Sequence, residues 1–147
     1  DGGHFSIVKV MLANGDPEAA LQTAQLETDA GWRLEGIALA CHDLGRTHES
    51  DAALKELVER FAIDMSYNIA AAHAYIGKID TAFEWLQTAY ESHDGGLTEV
   101  KREPLMANLH ADPRWPALLK KLGLGDEQLH SIEFSIEPPD CISEDDG

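Results

Sequence analysis

The chain is predicted to fold entirely from α-helices, stacked as antiparallel pairs. Three observations lead there. Apolar residues recur at helical spacing, and no segment before residue 130 alternates with period two over a useful length. A glycine turn returns as Asn14-Gly15-Asp16-Pro17, Leu44-Gly45-Arg46-Thr47 and Ile76-Gly77-Lys78-Ile79, with its glycines 30 and 32 residues apart. Behind each glycine come small residues at similar offsets: Ala20 and Ala24, Ser50 and Ala53, Ala82 and Ala89. Self-similarity at a period of about 20–50 residues marks stacked repeats, whose units bury their apolar faces only against their neighbours.

The elements follow in order. Phe5, Ile7, Val8, Val10, Met11 and Leu12 make a first apolar helix ending near Ala13. Asp16 followed by Pro17 is a helix start, because a carboxylate can accept from free N–H groups and proline lacks an N–H that would go unused there. The helix from Pro17 presents Ala20, Leu21 and Ala24 on one face. Trp32 to Leu44 forms the next, with Leu34, Ile37, Ala38 and Cys41 at helical spacing. Thr47 or Ser50 is expected to cap a helix that buries Ala53, Leu54, Leu57, Val58 and Phe61. Ile63 to Ile76 is apolar and alanine-rich, and Asp80 opens a helix with Ala82, Phe83, Leu86, Ala89 and Tyr90 inward. Ser92 to Gly96 reads as a loop, with Asp94-Gly95-Gly96 a turn signal only. Short helical pieces are expected at 97–102 and 104–109. Asp112-Pro113 then caps an amphipathic helix with Trp115, Leu118, Leu119 and Leu122 inward, stopped at Gly123.

Composition narrows the function. The formal charge is −16 over 147 residues, and half of it lies in residues 126–147, which hold eight acids and no Lys or Arg. Such a chain repels phosphate backbones and anionic bilayers, so nucleic acid and membrane are not expected partners. No run of about 18 apolar residues is present to span a membrane, and no signal peptide is evident. Two cysteines, Cys41 and Cys141, make no disulfide framework and favour a reduced, cytoplasmic setting. The first residue is Asp1, which suggests that an upstream segment is missing. In the tail, Ile132, Phe134 and Ile136 alternate before Pro138-Pro139. The tail is expected to be an extended or disordered acidic segment, 125–147.

The helix pairs resemble tetratricopeptide repeats. That pattern wants large apolar residues at the fourth, seventh and eleventh places, small residues at the eighth, twentieth and twenty-seventh, and glycine at the fifteenth. Aligned on Gly45, those places other than the glycine, taken with the twenty-fourth, hold Leu34, Ile37, Ala38, Cys41, Ser50, Leu54 and Leu57. Aligned on Gly77 they hold Ser66, Ile69, Ala70, His73, Ala82, Leu86 and Ala89, and on Gly15 they hold His4, Ile7, Val8, Met11, Ala20, Ala24 and Glu27. The Gly15 repeat fits worst, since Val8 and Glu27 replace small residues, and Leu57 is too large in the Gly45 repeat. Residues 77–124, with Asp80 to Leu86, Ala89-Tyr90, Leu109, Asp112 to Trp115 and Leu122-Gly123-Leu124, are similar to the C-terminal repeat region of bacterial signalling proteins. Those proteins carry a cyclase, a kinase or a winged-helix domain ahead of the repeats, and nothing in this chain resembles those parts. The resemblance implies a right-handed superhelical array over residues 1–124, with repeats near 1–30, 31–62 and 63–92 and a cap at 97–124.

It also implies a binding groove lined by the first helix of each pair. The residues it assigns there are Phe5, Lys9, Trp32, Glu35, Leu39, His42, Asp43, Tyr67, Asn68, Ala71 and Tyr75, with Gly2, Leu12, Ala13, Asp64 and Ala74 at related places. Trp32 and Tyr75 lie off the main apolar stripe, which favours them as anchors. The lysine and arginine clamp used by some relatives on a C-terminal carboxylate is absent, although Asn68 is the kind of residue it uses. The expected role is a scaffold for a protein or peptide segment, with no cofactor and no catalysis. Phe5, Val8 and Leu12 are apolar with nothing ahead of them, so a homodimer through the N-terminal helix or the tail is the alternative.

Chemistry has thin support. Seven histidines are present, but no HExxH, paired CxxC, GxxxxGK[ST] or GxGxxG motif accompanies them. His42-Asp43 and His48 are close in sequence without the three or four converging ligands that zinc needs. His73 and Cys41 read as packing residues. A small metal protein or enzyme stays the third expectation.

Overall fold

Glycines in the left-handed region close the helices and so set their lengths. In the computed structural model, which describes residues 2–125, Gly15, Gly45 and Gly77 have φ of 77°, 73° and 90°. At Gly45 the Gly45 N–H donates to His42 O and the Arg46 N–H to Cys41 O, at 3.0 and 2.8 Å. The same paired bonds recur at Gly15 and Gly77. They occupy carbonyls that a helix end leaves free, in a conformation that costs glycine little. The recurring glycine is therefore a helix terminator.

Between these ends the described residues are helical and contain no strand. The helices are α1 (Gly3–Ala13), α2 (Pro17–Gln25), α3 (Ala30–Asp43), α4 (Thr47–Phe61), α5 (Ser66–Ile76) and α6 (Ile79–Glu91). Two 3-10 segments, Gly95–Glu99 and Pro104–Leu109, precede α7 (Arg114–Lys121). The chain divides into two units, one running to Asp112 and the other starting at Pro113.

In the first unit each helix packs on the next. In addition, α3 touches both α1 and α5, so the three form a continuous row. Val8, Ala20, Ala38, Leu39, Cys41, Leu57, Ile69, Ala82 and Leu86 are fully buried along these contacts. Small residues allow the close approach. A Cβ on Gly36 of α3 would lie 2.8 Å from the Ala24 Cβ of α2. Each large aliphatic side chain buried here contributes about 1.5–3 kcal/mol, so the continuous core outweighs the weak intrinsic stability of helices this short.

The N-terminal ends differ in part from expectation. Asp16 does cap α2, accepting from the Ala19 N–H at 3.1 Å. At α4 neither Thr47 nor Ser50 caps; Arg46 stands at the cap position with no side-chain bond. Ser50 is buried instead, and its hydroxyl donates to Ala38 O at 2.7 Å, so a small polar residue fills the packing place without an orphan group. Helix α5 starts at Ser66 and not at Ile63, which is 86% exposed. Lys78, not Asp80, is at the cap position of α6.

Tyr90 is exposed, against expectation, and the α6 core face is Ala82, Leu86 and Ala89. Phe5, Val8 and Leu12 are buried by α2 and α3, so they leave no apolar face unpaired; α1 exposes Ile7 and Val10 in their place. His73 is buried, with Nδ1 2.8 Å from Ile69 O, and burial lowers its pKa. Cys41 is a buried free cysteine.

In the second unit α7 buries Trp115 and Leu118, and Leu119 and Leu122 are half-buried. Pro113 occupies its cap position. Gly123, with φ 75°, ends it by the same paired bonds, to Lys120 O and Leu119 O. Cys141 and the alternating Ile132, Phe134 and Ile136 lie outside the described residues.

Candidate ligand groove

Capping fixes the residues that line the inner row. Asp29 stands ahead of α3 and accepts from the N–H groups of Gly31 and Trp32 at 2.9 and 3.2 Å, which sets where the Trp32 side chain leaves the helix. Asp94 does the same for α5 from a distant loop. It accepts from Ser66 Oγ at 3.0 Å and from the Tyr67 N–H at 2.9 Å, and also from the Gly96 N–H at 2.9 Å. Asp94 thus does more than mark a turn: it ties residues 92–96 to the start of α5.

Gly2, Phe5, Ser6 and Lys9 of the N-terminal segment, Trp32 and Glu35 of α3, and Tyr67, Asn68 and Ala71 of α5 meet around one cavity of about 330 Å³. That size lies within the range of small-ligand sites. Its remaining wall is Gly96, Glu99, Glu103 and Leu105. The Phe5 and Trp32 rings stand 5.1 Å apart and tilted by 40°. Lys9 Nζ is 3.1 Å from Glu103 Oε2 and 5.7 Å from the centre of the Phe5 ring. Gly96 lies against the Tyr67 ring, where a Cβ would come within 2.4 Å of Cδ1.

Glu35 is the least expected member, since its side chain is fully buried. Asn68 Nδ2 donates to Oε2 at 3.2 Å, while Oε1 has no hydrogen-bond partner among the described residues. Burial pushes this carboxyl well above the usual range, with Glu103 adding to it; the Asn68 bond and Lys9 oppose. The buried Tyr67 hydroxyl likewise has no partner, and its pKa is raised by burial and by the surrounding carboxylates. One cavity therefore holds two unsatisfied polar groups, an uncommon arrangement in a native interior.

A second cavity, of about 410 Å³, adjoins the first through Ser6, Lys9 and Leu105. Val10, Leu12, Ala13, Tyr75 and Pro104 complete it, and its character is mainly apolar. The Tyr75 hydroxyl donates to Asp43 Oδ2, which draws the ends of α3 and α5 together. His42 meets Tyr75 edge-on, with centroids 6.2 Å apart.

Of the residues assigned from sequence, Phe5, Lys9, Trp32, Glu35, Tyr67, Asn68 and Ala71 line the first cavity and Tyr75 the second. Leu39 and Ala74 line neither cavity; both are fully buried in the packing of α3 and α5. His42 and Asp43 support Tyr75 without lining either cavity. Asp64 is exposed ahead of α5. Gly96, Glu99, Glu103 and Leu105 are additions that the sequence pattern did not reveal. They reach the face through the 3-10 segments, which pack on α5. Asn108 secures the second segment by donating to Ala74 O at 2.9 Å. Part of the inner face expected to be open is thus walled by the chain's own residues 95–109.

Among the described residues no three His, Cys, Asp or Glu side chains are grouped to hold a metal ion, and no helix is long and apolar enough to cross a membrane. No family model, curated protein or solved structure matches the chain.

Proposed function

We propose that this protein is a binding module of tetratricopeptide-repeat type, which takes a protein or peptide segment along the face formed by α1, α3 and α5. The observation that carries the reading is the cavity between these helices, which Phe5, Trp32 and Tyr67 line together with Glu35, and whose lining includes the unsatisfied Glu35 carboxyl and Tyr67 hydroxyl. Buried polar groups without partners cost stability unless a ligand supplies them. Contacts of α3 with both α1 and α5 support a stacked array of helix pairs, which we read as a right-handed superhelix. The adjoining apolar cavity extends the face, and a short extended segment could lie across both. The role is recognition and not catalysis, in a reducing cytoplasmic setting suited to the free Cys41. The formal charge of −16 disfavours nucleic acid and anionic membranes as partners.

Selection of a random displayed peptide library on the full chain tests the reading. Enriched peptides should lose about tenfold or more in affinity for a variant carrying Trp32→Ala and Tyr75→Ala that keeps its helical circular dichroism. No enrichment, or binding that ignores the double substitution, contradicts it.

A second reading rests on Ile7 and Val10, which are 47% and 59% exposed one turn apart on α1. They favour self-association through that helix. Light scattering of the chain and of Val10→Glu separates the two; a monomer in both removes this alternative.

A further inference from the structure

We infer that the anchor the first cavity accepts is an arginine side chain of the partner, placed between the aromatic rings with its guanidinium on Glu35 and Tyr67. The inference rests on the peptide-binding reading and names the chemistry of that site. Both unsatisfied atoms can accept hydrogen bonds: Glu35 Oε1 and the Tyr67 hydroxyl oxygen, each buried and each lining the cavity. A ligand that brings donors can complete both at once. An apolar side chain would leave both groups as they are. An anion would meet Glu99 and Glu103 with the buried Glu35 carboxyl beside them, against one lysine. A guanidinium carries five N–H donors in a flat fork, enough for two acceptors at different angles, and it stacks on aromatic faces. Phe5, Trp32 and Tyr67 provide those faces.

The protein supplies its own precedent for a cation at this wall. Lys9 Nζ sits 5.7 Å from the Phe5 ring centre while paired with Glu103 at 3.1 Å. Glu35 is fully buried, and among the described residues its side chain accepts a hydrogen bond only from the neutral Asn68 amide. The rim cation is therefore in place and the deep acceptors are not matched. Charge complementarity argues in the same direction, since the whole chain is strongly acidic and a basic segment would be drawn to it.

The test uses the full chain and peptides selected on it from a random library. Each should carry an arginine whose replacement by citrulline, an uncharged isostere, weakens binding about tenfold or more. Glu35→Gln should weaken the arginine form by a similar factor and leave the citrulline form nearly unchanged, which a loss of fold would not do. If Glu35→Gln fails to give native circular dichroism, Tyr67→Phe carries the same comparison. Peptides that depend on Trp32 but contain no arginine, or that bind equally as citrulline forms, overturn this inference and leave the peptide reading standing. Absence of any Trp32-dependent peptide overturns the reading itself, and the inference with it.

Discussion

Asn68 of α5 reaches across to α3 and donates its amide to the buried Glu35 Oε2 at 3.2 Å, while Oε1 has no hydrogen-bond partner among the described residues. The pair links two adjacent helices of the inner row and places a buried carboxyl in the wall of the first cavity. It makes the groove a polar site inside an otherwise apolar stack.

Removing the amide should therefore cost stability as well as binding. Asn68→Ala leaves both oxygens of Glu35 without a donor, and a buried group deprived of its partner costs about 1–3 kcal/mol. Urea unfolding of the variant should show that loss. Asn68→Asp should be worse, since it sets a second carboxyl against the first. A neutral result for Asn68→Ala would mean that the bond contributes nothing.

The raised pKa of Glu35 sets a pH dependence. Its folded-state value lies above the unfolded one, so the folded chain holds the proton more tightly. The contribution to stability is full below about pH 4.5 and is lost as pH rises toward the folded-state pKa, at up to about 1.4 kcal/mol per pH unit. Asn68, Glu103, Lys9 and Tyr67 are the groups that face it. Glu35→Gln has no proton to lose. Its stability relative to the native chain should rise when urea midpoints are compared between about pH 5 and pH 8. A constant difference would show that Glu35 does not titrate differently on folding.

The glycine period makes a backbone prediction. Gly77 has φ 90°, and a side chain there costs about 1–2 kcal/mol. Gly77→Ala should lower the urea midpoint accordingly. Gly95→Ala is the control, because its Cβ would meet nothing within 4 Å and no positive φ is involved. Equal effects at the two sites would contradict the assignment of Gly77 as a helix terminator.

Much of this was legible in the sequence because it depends on local rules. The glycines announced helix ends, since few other residues take that conformation at low cost. Asp16 before Pro17 announced α2. The resemblance to tetratricopeptide repeats assigned Phe5, Trp32, Glu35 and Tyr67 to the inner helices, and all four line the first cavity. What stayed hidden is tertiary. No local signal shows that Ser50 gives its hydroxyl to Ala38 O and leaves the cap empty. Asp94 looks like a turn residue until α5 is beside it. Glu99 and Leu105 sit in short 3-10 pieces and Glu103 stands at the cap of the second, without periodicity, so nothing in their spacing tells which face they cover. Leu39 shows the opposite case: the resemblance gives it a groove place, but the packing of α3 closes over it and it lines neither cavity.

Gly96 holds the far wall of the cavity. A Cβ at this position would lie 2.4 and 2.6 Å from Tyr67 Cδ1 and Cγ, so the ring must move. Overpacking of this kind costs about 1–3 kcal/mol. Gly96→Ala should show that loss and should also weaken peptide binding, since Tyr67 lines the site. Full affinity in Gly96→Ala would separate Tyr67 from recognition.

The most direct measurement is a map of where a bound segment lies. A peptide enriched on the full chain is titrated into the nitrogen-15-labelled protein, and amide shifts are followed by nuclear magnetic resonance. The account predicts the largest changes at Phe5, Trp32, Glu35, Tyr67, Asn68 and Gly96, with the exposed faces of α4 and α6 little affected. Changes centred on α4 or α6, with the α1–α3–α5 face undisturbed, would contradict it.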